Sequence, residues 1–167
     1  MAVDGKTVRG TRRPDGTRPH LVAAVHAGVV LAQRQTTAKR GETACFTGLL
    51  EPLDLHGTVV TADALHTVRD HAAWLVDTKS AHYIVIVKSK IPAPSPAAQA
   101  PPVARVQMGD RTRDRAHGRD ETRRLKVCTV NDLLFPHAAQ AGLVNGAACD
   151  HYRDRPDHAL QLLGPAM

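Results

Sequence analysis

Residues 1–90 predict a mixed α/β core. Closely spaced apolar runs come first, a segment with helical spacing follows, and strand-like and helix-like segments then alternate. The expected order is three strands, a helix, a strand, a helix and a strand.

The first strand is expected over Ala2 to Val8, entering a meander across the turn signal Pro14-Asp15-Gly16. Residues 20–26 (HLVAAVH) and 28–33 (GVVLAQ) are apolar runs separated by Ala27-Gly28, which reads as a hairpin or two adjacent antiparallel strands. Within 41–55 (GETACFTGLLEPLDL), Phe46, Leu49, Leu50 and Leu53 recur at helical spacing, and Pro52 ends the helix early. Residues 57–66 (GTVVTADALH) read as a buried strand that runs out at Asp63. An amphipathic helix is expected over 66–79, with Val68, Ala72, Leu75 and Val76 on one face and Thr67 as its N-cap. The β-branched run HYIVIVKSK at 82–90 is expected as a central strand.

The composition changes after Lys90. Residues 91–107 hold five of the chain's eleven prolines and read as a disordered or polyproline-like linker. Residues 108–136 are highly charged, with a strand expected at Leu125–Val130, and residues 137–167 lack a sustained period and read as a disordered tail.

The chain has 167 residues, enough for one domain with a real core. Lys and Arg number 22 against 16 Asp and Glu, a net charge of +6 that favours a polyanionic partner, nucleic acid above all. The three cysteines, Cys45, Cys128 and Cys149, lie far apart and form neither a disulfide framework nor a metal knuckle. Reduced thiols in a cytoplasmic protein are the simplest account. The first residues are charged and lack the apolar core of a signal peptide. No apolar run approaches the ~20 residues of a membrane helix, so no membrane partner is expected.

Several chemistries fail on spacing. Gly5-Lys6-Thr7 lacks the upstream glycine of a phosphate-binding loop. Ten histidines invite a zinc reading, but none shows the H-E-x-x-H pattern, and surface or structural roles account for them better. The serines Ser80, Ser89 and Ser95 lie in no nucleophile elbow. The carboxylates remain. Asp63 lies at a strand-to-helix turn, where it either caps the helix or faces a crevice. Asp4-Gly5 is also a common hairpin-turn signal. Glu121 lies in a charged run and by itself reads as solvated. If Asp4 and Asp63 sit on neighbouring strands, they could share a hard cation with a third carboxylate.

Six blocks, VDGKTVRG, HLVAAVHAGVVLAQ, GTVVTADALHT, HYIVIVK, HGRDETRRLKV and FPHAAQA, occur in one order along the chain. Together they resemble the DDE transposases of bacterial insertion sequences, in the H-repeat-associated group. The resemblance covers roughly residues 1–90 and 108–140. It implies a ribonuclease H-like catalytic domain, a mixed five-strand sheet flanked by helices, over residues 1–90. It further implies that Asp4, Asp63 and Glu121 are the catalytic acids and bind two Mg²⁺ ions, for which Mn²⁺ can substitute. The implied reaction is hydrolytic cleavage at an element's end, followed by attack of the freed 3′-hydroxyl on target DNA. Lys6, Arg9, Arg119 and Arg123 lie near these acids in sequence and are expected phosphate contacts; for any one of them a solvated surface role is the alternative. The partners implied are insertion-sequence ends and target DNA, with a homo-oligomer in the intact family.

The chain departs from the family in three places. Family members carry a further region before the Asp-Gly-Lys strand, so the chain is expected to begin inside the catalytic domain. After Lys88 the family continues with Lys-x-Asn-Gln-Pro and a helix, whereas this chain reads Ser89-Lys90-Ile91-Pro92-Ala93. A Pro-Ala pair written CCA-GCC reads Gln-Pro in the neighbouring frame, which suggests that residues 91 to about 106 are translated out of frame. Family-like sequence also stops after FPHAAQA, where a second shift is expected. The expected result is an incomplete domain with a misplaced third acid, inactive as an autonomous transposase. The rival readings are a non-catalytic nucleic-acid-binding remnant and a metal-dependent nuclease on the same fold.

Overall fold

Alternation along the first strand sets which side chains face the core. The computed structural model describes residues 1–36, 41–87, 109–116, 119–129, 135–150 and 153–164. In it β1 (Ala2–Thr7) buries Val3 while Asp4 and Lys6 stay exposed. Asp4 is therefore a mid-strand residue, and the hairpin-turn alternative for Asp4-Gly5 does not hold. β2 (His20–His26) runs antiparallel to β1, and Asp4 lies opposite Ala23. β3 (Val29–Thr36) returns antiparallel to β2. The hairpin between them turns at Ala27 and Gly28, both at positive φ, as the right-handed twist of paired strands prefers.

The helix expected from Phe46 and the leucines is α1 (Gly41–Leu50), which stops two residues before Pro52 and buries Phe46, Leu49 and Leu50. It packs on β2 and β3. β4 (Val59–Ala62) is parallel to β1, with Ala2 opposite Thr61 and Val3 opposite Ala62. α2 (Arg69–Asp77) supplies the crossover that parallel pairing requires, and β5 (His82–Val87) lies parallel to β4. The resulting order is β3-β2-β1-β4-β5, a mixed sheet. Its core gathers Val3, Val22, Ala24, Val60, Tyr83 and Val85 with the buried face of α1 and with Ala72 and Leu75 of α2. Burial pushes the Tyr83 hydroxyl up to about 12. Lys79 closes the far end of α2, donating to the carbonyls of Glu51 at 2.6 Å and Leu53 at 3.1 Å.

Local boundaries differ from the sequence reading. The strand expected over 57–66 is confined to Val59–Ala62, and the helix expected from 66 begins at Arg69. The intervening chain is committed to a turn: Asp63 Oδ1 accepts the Leu65 N–H at 2.8 Å, and the Asp63 carbonyl accepts the His66 N–H at 3.1 Å. The N-cap is Val68, which has no side-chain cap bond, instead of Thr67. On α2 the buried positions are His71, Ala72 and Leu75; Val76 is half-buried.

The chain divides into two compact units, Met1–Val85 and Ile86–Ala166. In the second, β6 (Asp110–Ala116), β7 (Arg119–Thr129), β8 (Gln140–Asp150) and β9 (Arg153–Leu163) form an antiparallel meander. The strand expected at Leu125–Val130 is thus longer and begins earlier. Residues 137–167 read as a disordered tail, yet they carry β8 and β9. Backbone pairing holds such strands without the side-chain period on which the sequence reading relied. The linker expected over 91–107 lies outside the described residues.

Candidate active site

The ladder between β1 and β4 ends at Val3 opposite Ala62. Asp4, in the middle of β1, and Asp63, the first residue after β4, each follow that last pair, so the two acids come at corresponding positions of neighbouring parallel strands. Both are exposed. Asp63 turns one oxygen back to the Leu65 N–H, which makes it an Asx-turn residue and not the cap of α2. Lys6 lies two residues past Asp4 and on the same face of β1, which alternation directs away from Val3 and Gly5.

On the opposite face of β1 lies a group that the sequence did not announce. Glu42, in the first turn of α1, is only 3% exposed, and its carboxylate sits over Gly5. Glu42 Oε1 accepts a hydrogen bond from Nε2 of the buried His20. In the neutral tautomer that makes this donation, His20 Nδ1 is left to accept the Thr7 hydroxyl at 2.8 Å. The other carboxylate oxygen lies 3.6 Å from His66 Nε2, beyond hydrogen-bond range. His66 is 1% exposed, and neither ring nitrogen has a hydrogen-bond partner among the described residues. Phe46, one turn along α1 from Glu42, lies 5.2 Å from the His66 ring and stacks on His71 at 4.3 Å.

These histidines are therefore buried and structural. Burial holds the His71 imidazole below its usual pKa; neighbouring His66 adds to this, while Asp70 and a backbone bond at Thr43 oppose it. Burial likewise raises the Cys45 thiol, which Arg34 partly offsets. Acidic residues in the first turn of a helix are common because they suit its dipole. Glu42 accordingly carried no local mark of its buried role.

Basic residues cluster in the connection from β1 to β2. Arg9, Arg12, Arg13 and Arg18 are all exposed there. The loop is held in shape: Arg13 N–H donates to the Thr17 carbonyl and Gly16 N–H to the Arg13 carbonyl, both at 2.9 Å. Its one carboxylate, Asp15, accepts both the hydroxyl and the N–H of Thr17, which lowers its pKa. Of these arginines, sequence reasoning singled out Arg9 alone.

The remaining expected residues lie on the second unit. Glu121 is in β7, with its backbone opposite Asp114 and Ala148, and its side chain lies outside those described. Residues 91–107, expected to replace the family's positioning helix and leave this acid misplaced, lie outside the described residues. Arg119 opens β7, and its side chain is likewise not described. Arg123 is exposed and lines a shallow pocket with Asp110, Thr112 and Arg124. Among the described residues, no group of three or more His, Cys, Asp or Glu side chains is arranged to hold a metal ion. No described helix is long and apolar enough to cross a membrane.

Comparison with known proteins bears on the same region. YncI of Escherichia coli strain K12, which bears a provisional transposase name, is 35% identical over 145 residues, covering 81% of this chain and 58% of its own length. YncI of Escherichia coli O157:H7 is 40% identical over 93 residues, covering 53% of this chain and 23% of its own. The H repeat-associated protein YhhI of strain K12, also provisionally named a transposase, is 27% identical over 144 residues, 81% of this chain and 38% of its own. The chain thus spans less than two thirds of each relative's length. Among solved structures, a piggyBac transposase synaptic complex with hairpin DNA matches with a TM-score of 0.53 at 14% identity, over 97% of this chain and 32% of that one, a likeness of fold. The model of the transposase DDE domain family matches residues 1–138, and the chain belongs to that family, in its H-repeat-associated group.

Proposed function

We propose that residues 1–90 are the ribonuclease H-like core of a DNA-transposing DDE enzyme, with Asp4 and Asp63 as two of its metal-binding acids. The placement of these two acids just past the last pair of the parallel β1–β4 ladder carries the reading. The strand order, antiparallel across β3-β2-β1 and parallel across β1-β4-β5, supports the fold assignment. Glu121 enters as the third acid on the resemblance alone.

Two neighbouring, water-accessible carboxylates suit a hard divalent cation such as Mg²⁺ or Mn²⁺, which takes oxygen ligands together with waters and phosphate oxygens. Bound there, the metal would activate a nucleophile and stabilise the leaving oxygen of a phosphodiester. Asp4 would hold it from the middle of β1 and Asp63 from the turn after β4. Lys6 shares the Asp4 face and would meet the adjacent phosphate. Arg9, Arg12, Arg13 and Arg18 would neutralise backbone charge along the duplex, and Arg119 and Arg123 would do so from the second unit. The DNA would be insertion-sequence ends and target, handled by a homo-oligomer. The proline-rich residues 91–107 stand where the resemblance expects a helix. On this reading, autonomous transposition by this chain fails for that reason.

Nicking of supercoiled plasmid in Mn²⁺, compared between the parent chain and Asp63→Asn, tests the proposal. Nicking lost in the variant supports a metal-dependent phosphodiesterase, and joining of a 3′-hydroxyl end to target separates transposase from nuclease. DNA binding without nicking, unchanged by Asp63→Asn, would replace the reading with a non-catalytic binding remnant.

A further inference from the structure

Only two residue pairs join β1 to β4, and both precede the acids. The backbone ladder therefore ends before the positions whose spacing a shared metal would need fixed. We propose that Glu42 is the positioning residue that fixes it, linking the strand of Asp4 to the turn of Asp63. The link to metal binding rests on the reading of these acids given above; the geometric role does not.

Glu42 touches both sides of the gap. On the β1 side its carboxylate occupies the space above Gly5, the residue after Asp4: a Cβ there would come within 2.6 Å of Oε1 and closer to the other carboxylate atoms. The carboxylate cannot simply swing aside, because His20 holds it, and His20 is itself tied to Thr7 of β1. On the β4 side the second oxygen faces His66, whose backbone N–H closes the Asp63 turn. Phe46 presses the same ring from the next turn of α1. The His66 ring is buried without a hydrogen-bond partner among the described residues, and such a group is costly unless something nearby compensates it. Glu42 Oε2, at 3.6 Å, is the carboxylate placed to do so. One side chain from α1 thus links the middle of β1 to the turn after β4.

The test uses the full chain with Glu42→Gln, which keeps the shape of the side chain, and with Gly5→Ala, which displaces the carboxylate from the β1 side. Amide exchange by NMR is read at His66, with Val22 and Val60 as controls in the sheet. In Glu42→Gln, exchange at His66 should accelerate by about tenfold or more while the controls stay within about twofold, the pattern of a local opening, and in Gly5→Ala it should accelerate more than at the controls. Mn²⁺ affinity, read from thermal unfolding of the same samples, should fall by about tenfold in both variants, with the metal-free midpoint moving little in Glu42→Gln. Unchanged His66 exchange, or equal acceleration at all three amides, would overturn the positioning role. If the parent shows no Mn²⁺ response that depends on Asp63, the metal reading fails, and the exchange data alone still decide whether Glu42 sets the turn.

Discussion

Gly5 and Glu42 are in contact across the α1 face of β1, the glycine supplying the space that the carboxylate fills. This couples two positions 37 residues apart in the chain. Gly5→Ala should therefore destabilise the fold by about 1–3 kcal/mol, as overpacking a filled core does. In a Glu42→Ala background the obstacle is gone, and the same substitution should cost less than about 1 kcal/mol. Denaturant unfolding of the four proteins checks this; equal costs in both backgrounds would place the strain elsewhere.

His71 should make the first unit acid-sensitive. Its folded pKa lies below the ordinary histidine value because burial disfavours the imidazolium. Between the folded pKa and about 6.5 the unfolded chain binds more protons than the native one, so stability falls as pH drops through that window. The contribution is complete above the unfolded pKa. His71→Phe should flatten the change in unfolding free energy below about pH 6.5, measured by urea titration at several pH values. An unchanged slope would assign the acid sensitivity to another group.

The arginine loop between β1 and β2 should report on DNA contact through salt. Each phosphate neutralised adds about 0.9 to the slope of log affinity against log salt. Replacing Arg12, Arg13 and Arg18 together by Ala should lower that slope by up to about 2.7 if all three meet phosphates. Fluorescence anisotropy with a duplex at several salt concentrations measures it. A slope identical to the parent's would remove the loop from the DNA surface.

Much of the first unit was legible because its signals are local. The apolar runs at 20–26 and 28–33 gave β2 and β3, and Pro52 closed α1 where Leu50 ends it. The start of α2 was misjudged because Thr67 has the chemistry of a cap, while the Asp63 turn had already taken up the chain through His66. The resemblance singles out Asp4 and Asp63, but their adjacency depends on the register of β1 against β4, which local sequence does not encode. Glu42 was invisible for a related reason: its partners His20 and His66 come from elements that only the tertiary fold brings to it. β8 lacks a sequence signal because a Gly- and Ala-rich strand such as QAGLVNGAACD pairs through backbone without an apolar alternation, and β9 because its charged first half and Pro156 argue against a strand.

Thermal unfolding in a Mn²⁺ titration shows whether Asp4 and Asp63 form one metal site. A ligand that binds only the folded state stabilises it by about 2.7 kcal/mol at roughly a hundredfold excess over Kd. The parent chain should gain stability along a saturable curve, and Asp4→Asn and Asp63→Asn should each abolish the gain. Equal stabilisation of all three proteins, or none in the parent, would contradict a carboxylate site shared by Asp4 and Asp63.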